Sequence, residues 1–228
     1  MSISDRYEKL KSEINTVAIG CGRKPEDINL IAVSKTVGIE QIQEAINCGA
    51  FHFGENRVQE LVEKFEALPK NLHWHQIGRL QTNKVKYLIG KNILIHSVDR
   101  EELVLEIARL SQKTGANTEI LVQVNVSGEE TKTGISPESL DDFLDFIAKQ
   151  NGIIVVGLMT IAPNTDDLDE IRRVFAFLRK KYIDIQNKRI DNNIQMKYLS
   201  MGMSHDYKIA IEEGSNMLRI GTLIFGER

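Results

Sequence analysis

The sequence predicts an α/β fold, a single-domain (β/α)8 barrel of the TIM type that comprises residues 1–228. Eight short runs rich in β-branched and aliphatic residues alternate with stretches of helical periodicity, which indicates βαβ units and a mostly parallel sheet. Several runs are apolar almost throughout, as expected for strands covered on both faces. The length of 228 residues suits one such barrel, and no linker or low-complexity segment divides the chain.

Each predicted strand precedes a predicted helix. The strand runs are LIAVS from Leu30, AFHFG from Ala50, LHWHQIG from Leu72, ILIHSV from Ile93, EILVQVNV from Glu119, IIVVGLMTI from Ile153, MKYLSM from Met196 and MLRIG from Met217. Helical periodicity covers residues 39–48, 56–68, 82–89, 100–112, 137–149, 167–186 and 206–213. A helix over residues 4–19 could supply the cover that an eighth helix would give, since only TLIFGER follows the last strand.

Composition restricts the class of protein. The net charge of -3 and the pI near 6.0 provide no global basic field, so we expect no nucleic-acid partner. No apolar run is long enough to span a bilayer, and the N-terminal MSISDRYEKLKSEI lacks the apolar core of a signal peptide. Two cysteines, Cys21 and Cys48, are too few for a disulfide framework. We therefore expect a cytoplasmic protein without membrane contacts.

Two histidines on the third strand raise the question of a metal site. His73 and His75 are two residues apart and share a face of the strand. Two imidazoles could bind a metal, but no cysteine or carboxylate has suitable spacing, so none is expected. Residues 127–139, the longest polar stretch, are instead predicted to be a functional loop between a strand and a helix.

Candidate site residues follow the strands, because barrel enzymes place their sites at the carboxyl ends of the strands. Lys35 ends the first run, where a lysine is most often solvated but is sometimes a nucleophile. The loops after strands seven and eight often bind phosphate in such barrels. Here they read SMGMS and RIGT, and they offer hydroxyls, exposed amides and glycines that allow close approach: Ser200, Gly202, Ser204, Gly221 and Thr222.

A lysine beside a phosphate site is compatible with more than one chemistry. Pyridoxal phosphate requires both, since it is held as a Schiff base on lysine and anchored by its phosphate. Arg219 could add positive charge or contact a ring nitrogen. A Schiff-base aldolase that acts on a sugar phosphate is the alternative that uses no cofactor.

Seven ordered motifs resemble those of one family: AVSKT, FGENRVQE, WHQIGRLQTNK, VNVSGEETKTG, GLMTI, LSMGMSHDY and RIGTLIFGER. Together they extend over residues 30–228 and are similar to the pyridoxal phosphate homeostasis protein family, the YggS-like proteins of bacteria. The resemblance implies one barrel similar to the barrel domain of alanine racemase, with pyridoxal 5'-phosphate as cofactor. It departs from the family at Gln76, where phenylalanine is frequent.

The resemblance also implies roles for eight residues. Lys35 would form the Schiff base, and Arg219 would lie near the pyridine nitrogen. Asn56 would line the ring pocket, with Met159 packed nearby. The phosphate would be held by Ser200, Met201, Gly221 and Thr222.

The function implied is that of a carrier that buffers or delivers the cofactor, with little or no catalysis of its own. An arginine near the ring nitrogen disfavours its protonation and makes the ring a weaker electron sink. The chain is also expected to lack the further β-domain of alanine racemase, since it ends soon after strand eight. The alternative is a pyridoxal phosphate-dependent amino-acid racemase. Apo forms of pyridoxal phosphate enzymes are the expected partners of a monomer.

Overall fold

The computed structural model describes residues 1–129, 131–189 and 191–227, so Glu130 of the predicted polar loop lies outside it. Within these residues eight parallel strands form a closed barrel in which each strand pairs with the next and β1 pairs with β8. The predicted fold class is confirmed. The strands are β1 Asn29–Val33, β2 His52–Glu55, β3 His73–Gln76, β4 Leu94–Val98, β5 Thr118–Gln123, β6 Ile153–Met159, β7 Ile194–Ser200 and β8 Met217–Ile220.

Helices surround the barrel and follow the predicted pattern with two differences. The predicted helix over 82–89 is a 3-10 helix, Thr82–Tyr87, and a one-turn helix does form after the last strand. No helix in the described part of the chain is long and apolar enough to cross a membrane. The α-helices are α1 Ile3–Gly20, α2 Ile39–Asn47, α3 Val58–Ala67, α4 Glu101–Thr114, α5 Leu140–Ala148, α6 Leu168–Lys188, α7 Tyr207–Glu212 and α8 Thr222–Phe225.

Helix α1 covers the barrel where β8 closes on β1. Its start is fixed by a capping box, in which the Ser2 hydroxyl accepts from the Asp5 amide and the Asp5 carboxylate accepts from the Ser2 amide. One face packs against α2, α7 and α8. Its buried residues recur at helical spacing: Ile3, Tyr7, Leu10, Ile14 and Ala18. The predicted N-terminal helix thus supplies the expected cover.

Apolar side chains fill most of the space between the strands. A compact cluster joins residues of β1, β4, β5, β6 and β8: Ile31, Leu94, Leu121, Val156, Met159 and Met217. Such filling makes the barrel a packed core rather than a pore. Polar side chains on β3, β4, β7 and β8 are buried as well, namely those of His75, His96, Ser200 and Arg219. These four require hydrogen-bond partners inside the protein.

Candidate cofactor site

A cavity of about 480 Å³ lies at the carboxyl ends of the strands, where the sequence predicts the site. Its volume is within the usual range of small-molecule sites. Five of the eight predicted site residues line it: Lys35, Asn56, Arg219, Gly221 and Thr222. Loops that are distant in the sequence, after β1, β2 and β8, therefore meet around one space.

The cavity is electropositive. Lys35, Arg79 and Arg219 line it together with His205, and no carboxylate is present among the described lining residues. Positive side chains in a concave surface raise the local concentration of anions. The charge pattern therefore favours an anionic ligand such as a phosphate ester.

Lys35 is held in a tight turn directly after β1. The Val37 amide donates to the Ser34 carbonyl at 2.9 Å and closes the turn. Thr36 has φ of 61°, a left-handed conformation that is rare for a β-branched residue. The Thr36 amide donates to Glu60 Oε2 at 2.9 Å. This turn leaves the Lys35 side chain exposed at the carboxyl rim instead of continuing the strand.

A buried ion pair supports the backbone that leads into Lys35. Lys64 Nζ of α3 lies 2.8 Å from Glu55 Oε1 and donates to the Ser34 carbonyl, also at 2.8 Å. The Ser34 hydroxyl donates to the same Glu55 oxygen at 2.6 Å. Burial raises the pKa of Glu55, while the hydrogen bonds from Lys64 and Ser34 act in the opposite direction. Ser34 is thus held through both its side chain and its carbonyl.

Arg219 enters the cavity from β8 and is almost fully buried. One guanidinium nitrogen donates to Ser200 Oγ at 2.6 Å, and the other donates to the Thr160 carbonyl at 2.8 Å. Burial lowers the pKa of Arg219 to about 10, so the group remains a cation at neutral pH. It presents a fixed positive charge at the floor of the cavity.

The Asn56 wall depends on a close backbone approach. Gln76 Nε2 donates to the carbonyls of Asn56 and Gly78 at 3.0 and 3.1 Å. A Cβ atom at Gly78 would lie 2.4 Å from the Asn56 carbonyl oxygen, so only glycine fits there. Gln76, where the sequence departs from the family pattern, therefore braces a cavity wall through the backbone.

Three predicted site residues are not among the described residues that line the cavity. Ser200 is fully buried, and its oxygen contacts Arg219 and His96 Nδ1, the latter at 3.1 Å. Met201 is fully buried, and its carbonyl accepts from Ser215 at 2.7 Å. Met159 packs in the apolar cluster between the strands. The cofactor contacts of these three residues remain predictions.

Ser204 lines the cavity from the loop after β7. The loop turns at Gly202, which has φ of 99° and whose added Cβ would meet Ala210 Cβ at 2.6 Å. Ser204 therefore joins Gly221 and Thr222 as a group of donors at one side of the cavity. Ser204 thus offers a hydroxyl to the cavity, while the Ser200 hydroxyl is hydrogen-bonded to Arg219 and His96.

The sequence alone did not identify Arg79, Gln123 or Lys64. Arg79 and Gln123 line the cavity close after β3 and at the end of β5, so the rule of strand ends could have found them. Lys64 lies three residues after buried Leu61, on the apolar face of α3. The charged side chain on this apolar face was the only sequence signal that Lys64 has a buried partner.

Comparison with known proteins identifies the family. Residues 8–228 match the family described as alanine racemase, N-terminal domain. The pyridoxal phosphate homeostasis protein of Aquifex aeolicus (strain VF5) is 44% identical in an alignment of 229 positions that covers 100% of this chain and 99% of that protein. The chain belongs to the pyridoxal phosphate homeostasis protein family. The pyridoxal phosphate homeostasis protein of Escherichia coli (strain K12) is 37% identical, and the alignment covers 99% of this chain and 97% of that protein.

Solved structures share the fold of this chain. PipY of Synechococcus elongatus PCC7942 with PLP bound superposes with a TM-score of 0.84 at 32% identity, over 99% of this chain and 100% of that chain. Alanine racemase of Clostridium difficile 630 superposes with a TM-score of 0.73 at 17% identity, over 98% of this chain and 57% of that chain. The second comparison shows the fold alone, and it confirms the expected likeness to the barrel of alanine racemase.

Proposed function

We propose that this protein binds pyridoxal 5'-phosphate as a Schiff base on Lys35 and buffers or delivers it in the cytoplasm, with little or no catalysis of its own. The observation that carries the proposal is the meeting of a lysine amine, a buried arginine and a set of hydroxyl and amide donors in one cavity whose described lining includes no carboxylate. The names of the relatives and the PLP bound to PipY add support.

The residues present fit the cofactor by the chemistry of their donors. Ser204, Gly221 and Thr222 would hold the phosphate with hydroxyls and amides, and Arg219 would donate to the ring nitrogen. Lys35 would provide the amine, and Asn56 would border the ring. When bound, pyridoxal phosphate supplies an aldehyde that condenses with amines and a ring that accepts electrons. Ser200 would contribute indirectly, because its hydroxyl oxygen accepts a hydrogen bond from Arg219 and fixes the position of the guanidinium.

Little catalysis is expected because the cavity offers few groups for proton transfer. Arg219 donates to whatever it contacts, and a ring nitrogen beside it would stay unprotonated. Tyr207 is engaged with Glu13 Oε2 at 2.6 Å, and burial raises its pKa. Tyr198 lines a different cavity. Racemisation by two bases would need a second base beside Lys35, and among the described lining residues that base would be His205.

The first test is covalent mapping of the cofactor. The purified protein should show visible absorption from bound pyridoxal phosphate, and borohydride should fix a pyridoxyl mass on the Lys35 peptide. Lys35→Ala should lose this label, while Lys84→Ala, which removes another lysine near the carboxyl ends of the strands, should retain it. A colourless protein that stays unlabelled after added pyridoxal phosphate would refute the proposal and favour sugar-phosphate chemistry.

Further measurements separate a carrier from an enzyme. A carrier should exchange the α-proton of amino acids with solvent no faster than free cofactor does, whereas a racemase should exchange it faster. Cofactor should reach an apo-enzyme faster from the loaded protein than from free solution. Equal transfer rates would count against delivery and leave buffering. Sedimentation of the loaded protein should show the monomer that we expect.

A further inference from the structure

Three histidines on consecutive strands form a hydrogen-bonded chain inside the barrel. His52 Nδ1 lies 3.0 Å from His75 Nε2, and His75 Nδ1 lies 3.0 Å from His96 Nε2. His96 Nδ1 lies 3.1 Å from Ser200 Oγ, which accepts from Arg219. The chain thus runs from β2 across β3 and β4 to β7 and ends at the guanidinium in the cofactor cavity.

The outer end of this chain lies in a second cavity. His52 lines a cavity of about 540 Å³. Other lining residues are the first residues of their strands, among them Asn29, His73, Thr118 and Met217. This cavity is therefore at the amino ends of the strands, on the opposite side of the barrel from Lys35. The histidine chain is a polar connection between the two ends.

Burial keeps the three imidazoles neutral. It holds the pKa of His75 and of His96 well below the usual value and lowers that of His52 to about 4. A neutral imidazole has one donor nitrogen and one acceptor nitrogen. Each contact between two rings needs one of each, so the proton position in one ring determines it in the next. The chain has only two complete arrangements, with all protons on Nε2 or all on Nδ1.

Arg219 selects between these arrangements. Its guanidinium can only donate, so Ser200 Oγ turns its lone pairs towards the cation and its hydroxyl hydrogen away from it. Among the described residues His96 Nδ1 is the other hydrogen-bond partner of that hydroxyl, so the hydroxyl satisfies its own hydrogen by donating to His96 Nδ1, and the protons of all three rings are then on Nε2. In this arrangement every dipole of the chain has its negative end towards the buried positive charge, and hydrogen bonds aligned in this way strengthen one another.

We propose that His96, His75 and His52 are positioning residues that form a relay protonated on Nε2, hold Ser200 as the acceptor of Arg219, and couple the amino-end cavity to the cofactor cavity. The relay gives these three histidines, none of which lines the cofactor cavity, a role in positioning the guanidinium of Arg219 there. A change at His52 is transmitted because no ring of the relay can move its proton from one nitrogen to the other without breaking the hydrogen bond to its neighbour. The link to cofactor affinity rests on the proposed function, whereas the proton positions and the coupling to Arg219 do not.

The test compares two neighbouring histidines in the protein without cofactor. His52→Phe removes the outer member of the relay. His73→Phe is the matched control, because the His73 ring stacks on His52 at 4.8 Å between centroids and lines the same cavity but is outside the chain. Nitrogen-15 NMR of the wild-type side chains should show His75 and His96 both protonated on Nε2. A proton on Nδ1 of either ring would overturn the proposed direction.

The coupling has its own readout. The guanidinium resonances of Arg219 should shift in His52→Phe and stay in place in His73→Phe. Affinity for pyridoxal phosphate should fall about two- to tenfold in His52→Phe alone, which corresponds to one buried hydrogen bond. Unchanged Arg219 resonances in both variants would overturn the coupling. A protein that binds no pyridoxal phosphate but shows both NMR results would refute the proposed function and retain the relay.

Discussion

The buried pair of Glu55 and Lys64 should make Lys64→Met one of the costlier single changes in this protein. The substitution leaves a fully buried carboxylate with the Ser34 hydroxyl on one oxygen and no hydrogen-bond partner on the other. Removing one member of such a pair costs about 3–5 kcal/mol. The Ser34 carbonyl keeps the Val37 amide as a donor, so the loss comes mainly from Glu55.

The loss of stability caused by Lys64→Met has an upper bound that depends on pH. A buried carboxylate without a partner takes up a proton instead of remaining charged. Protonating a glutamate of ordinary pKa requires about 4 kcal/mol at pH 7 and about 1 kcal/mol at pH 5. The destabilisation caused by Lys64→Met should therefore be about 3–4 kcal/mol at pH 7 and shrink to about 1 kcal/mol at pH 5.

Urea denaturation of four proteins at pH 7 and pH 5 measures this loss of stability. The wild type, Lys64→Met, Glu55→Gln and the double variant form a cycle in which the double variant should be more stable than Lys64→Met, because it has no buried charge. Arg109→Met, which breaks the exposed pair with Glu106, is the control and should leave the urea midpoint unchanged. Equal destabilisation by Lys64→Met at pH 7 and pH 5 would refute the argument from the buried carboxylate.

Two further predictions concern the cavity wall and the buried histidines. Gly78→Ala should destabilise the protein by about 1–3 kcal/mol and weaken cofactor binding, because the new Cβ would overlap the Asn56 carbonyl. Gly20→Ala is the control, because a Cβ there would have no atom within 4 Å. It should change neither the stability nor the affinity in the same urea denaturation and cofactor titration experiments. The free energy of unfolding should also fall as the pH drops from 6.5 to 5, since unfolded His52, His75 and His96 bind protons that the folded rings do not. The expected slope is about 2–4 kcal/mol per pH unit, lower if Glu55 releases a proton on unfolding, and a flat profile of urea midpoints against pH would contradict neutral burial.

The order of strands and helices and the position of the candidate site follow from the sequence, and the structure has the barrel and a cavity where they were expected. Each is a local property: alternation of apolar runs with helical periodicity specifies the elements, and parallel strands place their carboxyl ends together. Lys35, Asn56, Arg219, Gly221 and Thr222 were therefore predicted from motifs and strand ends, and in the structure these five line one cavity.

Which polar groups meet inside the barrel depends on the tertiary structure. His96 and Ser200 are 104 residues apart, and Lys64 reaches Ser34 from 30 residues away. Such contacts depend on strand register, barrel closure and the rotation of α3, which a local pattern does not specify. The same long-range geometry engages the Ser200 oxygen with Arg219 and makes Ser204 the hydroxyl that faces the cavity. Sequence placed the site at one end of the barrel, and packing decided which neighbours support it.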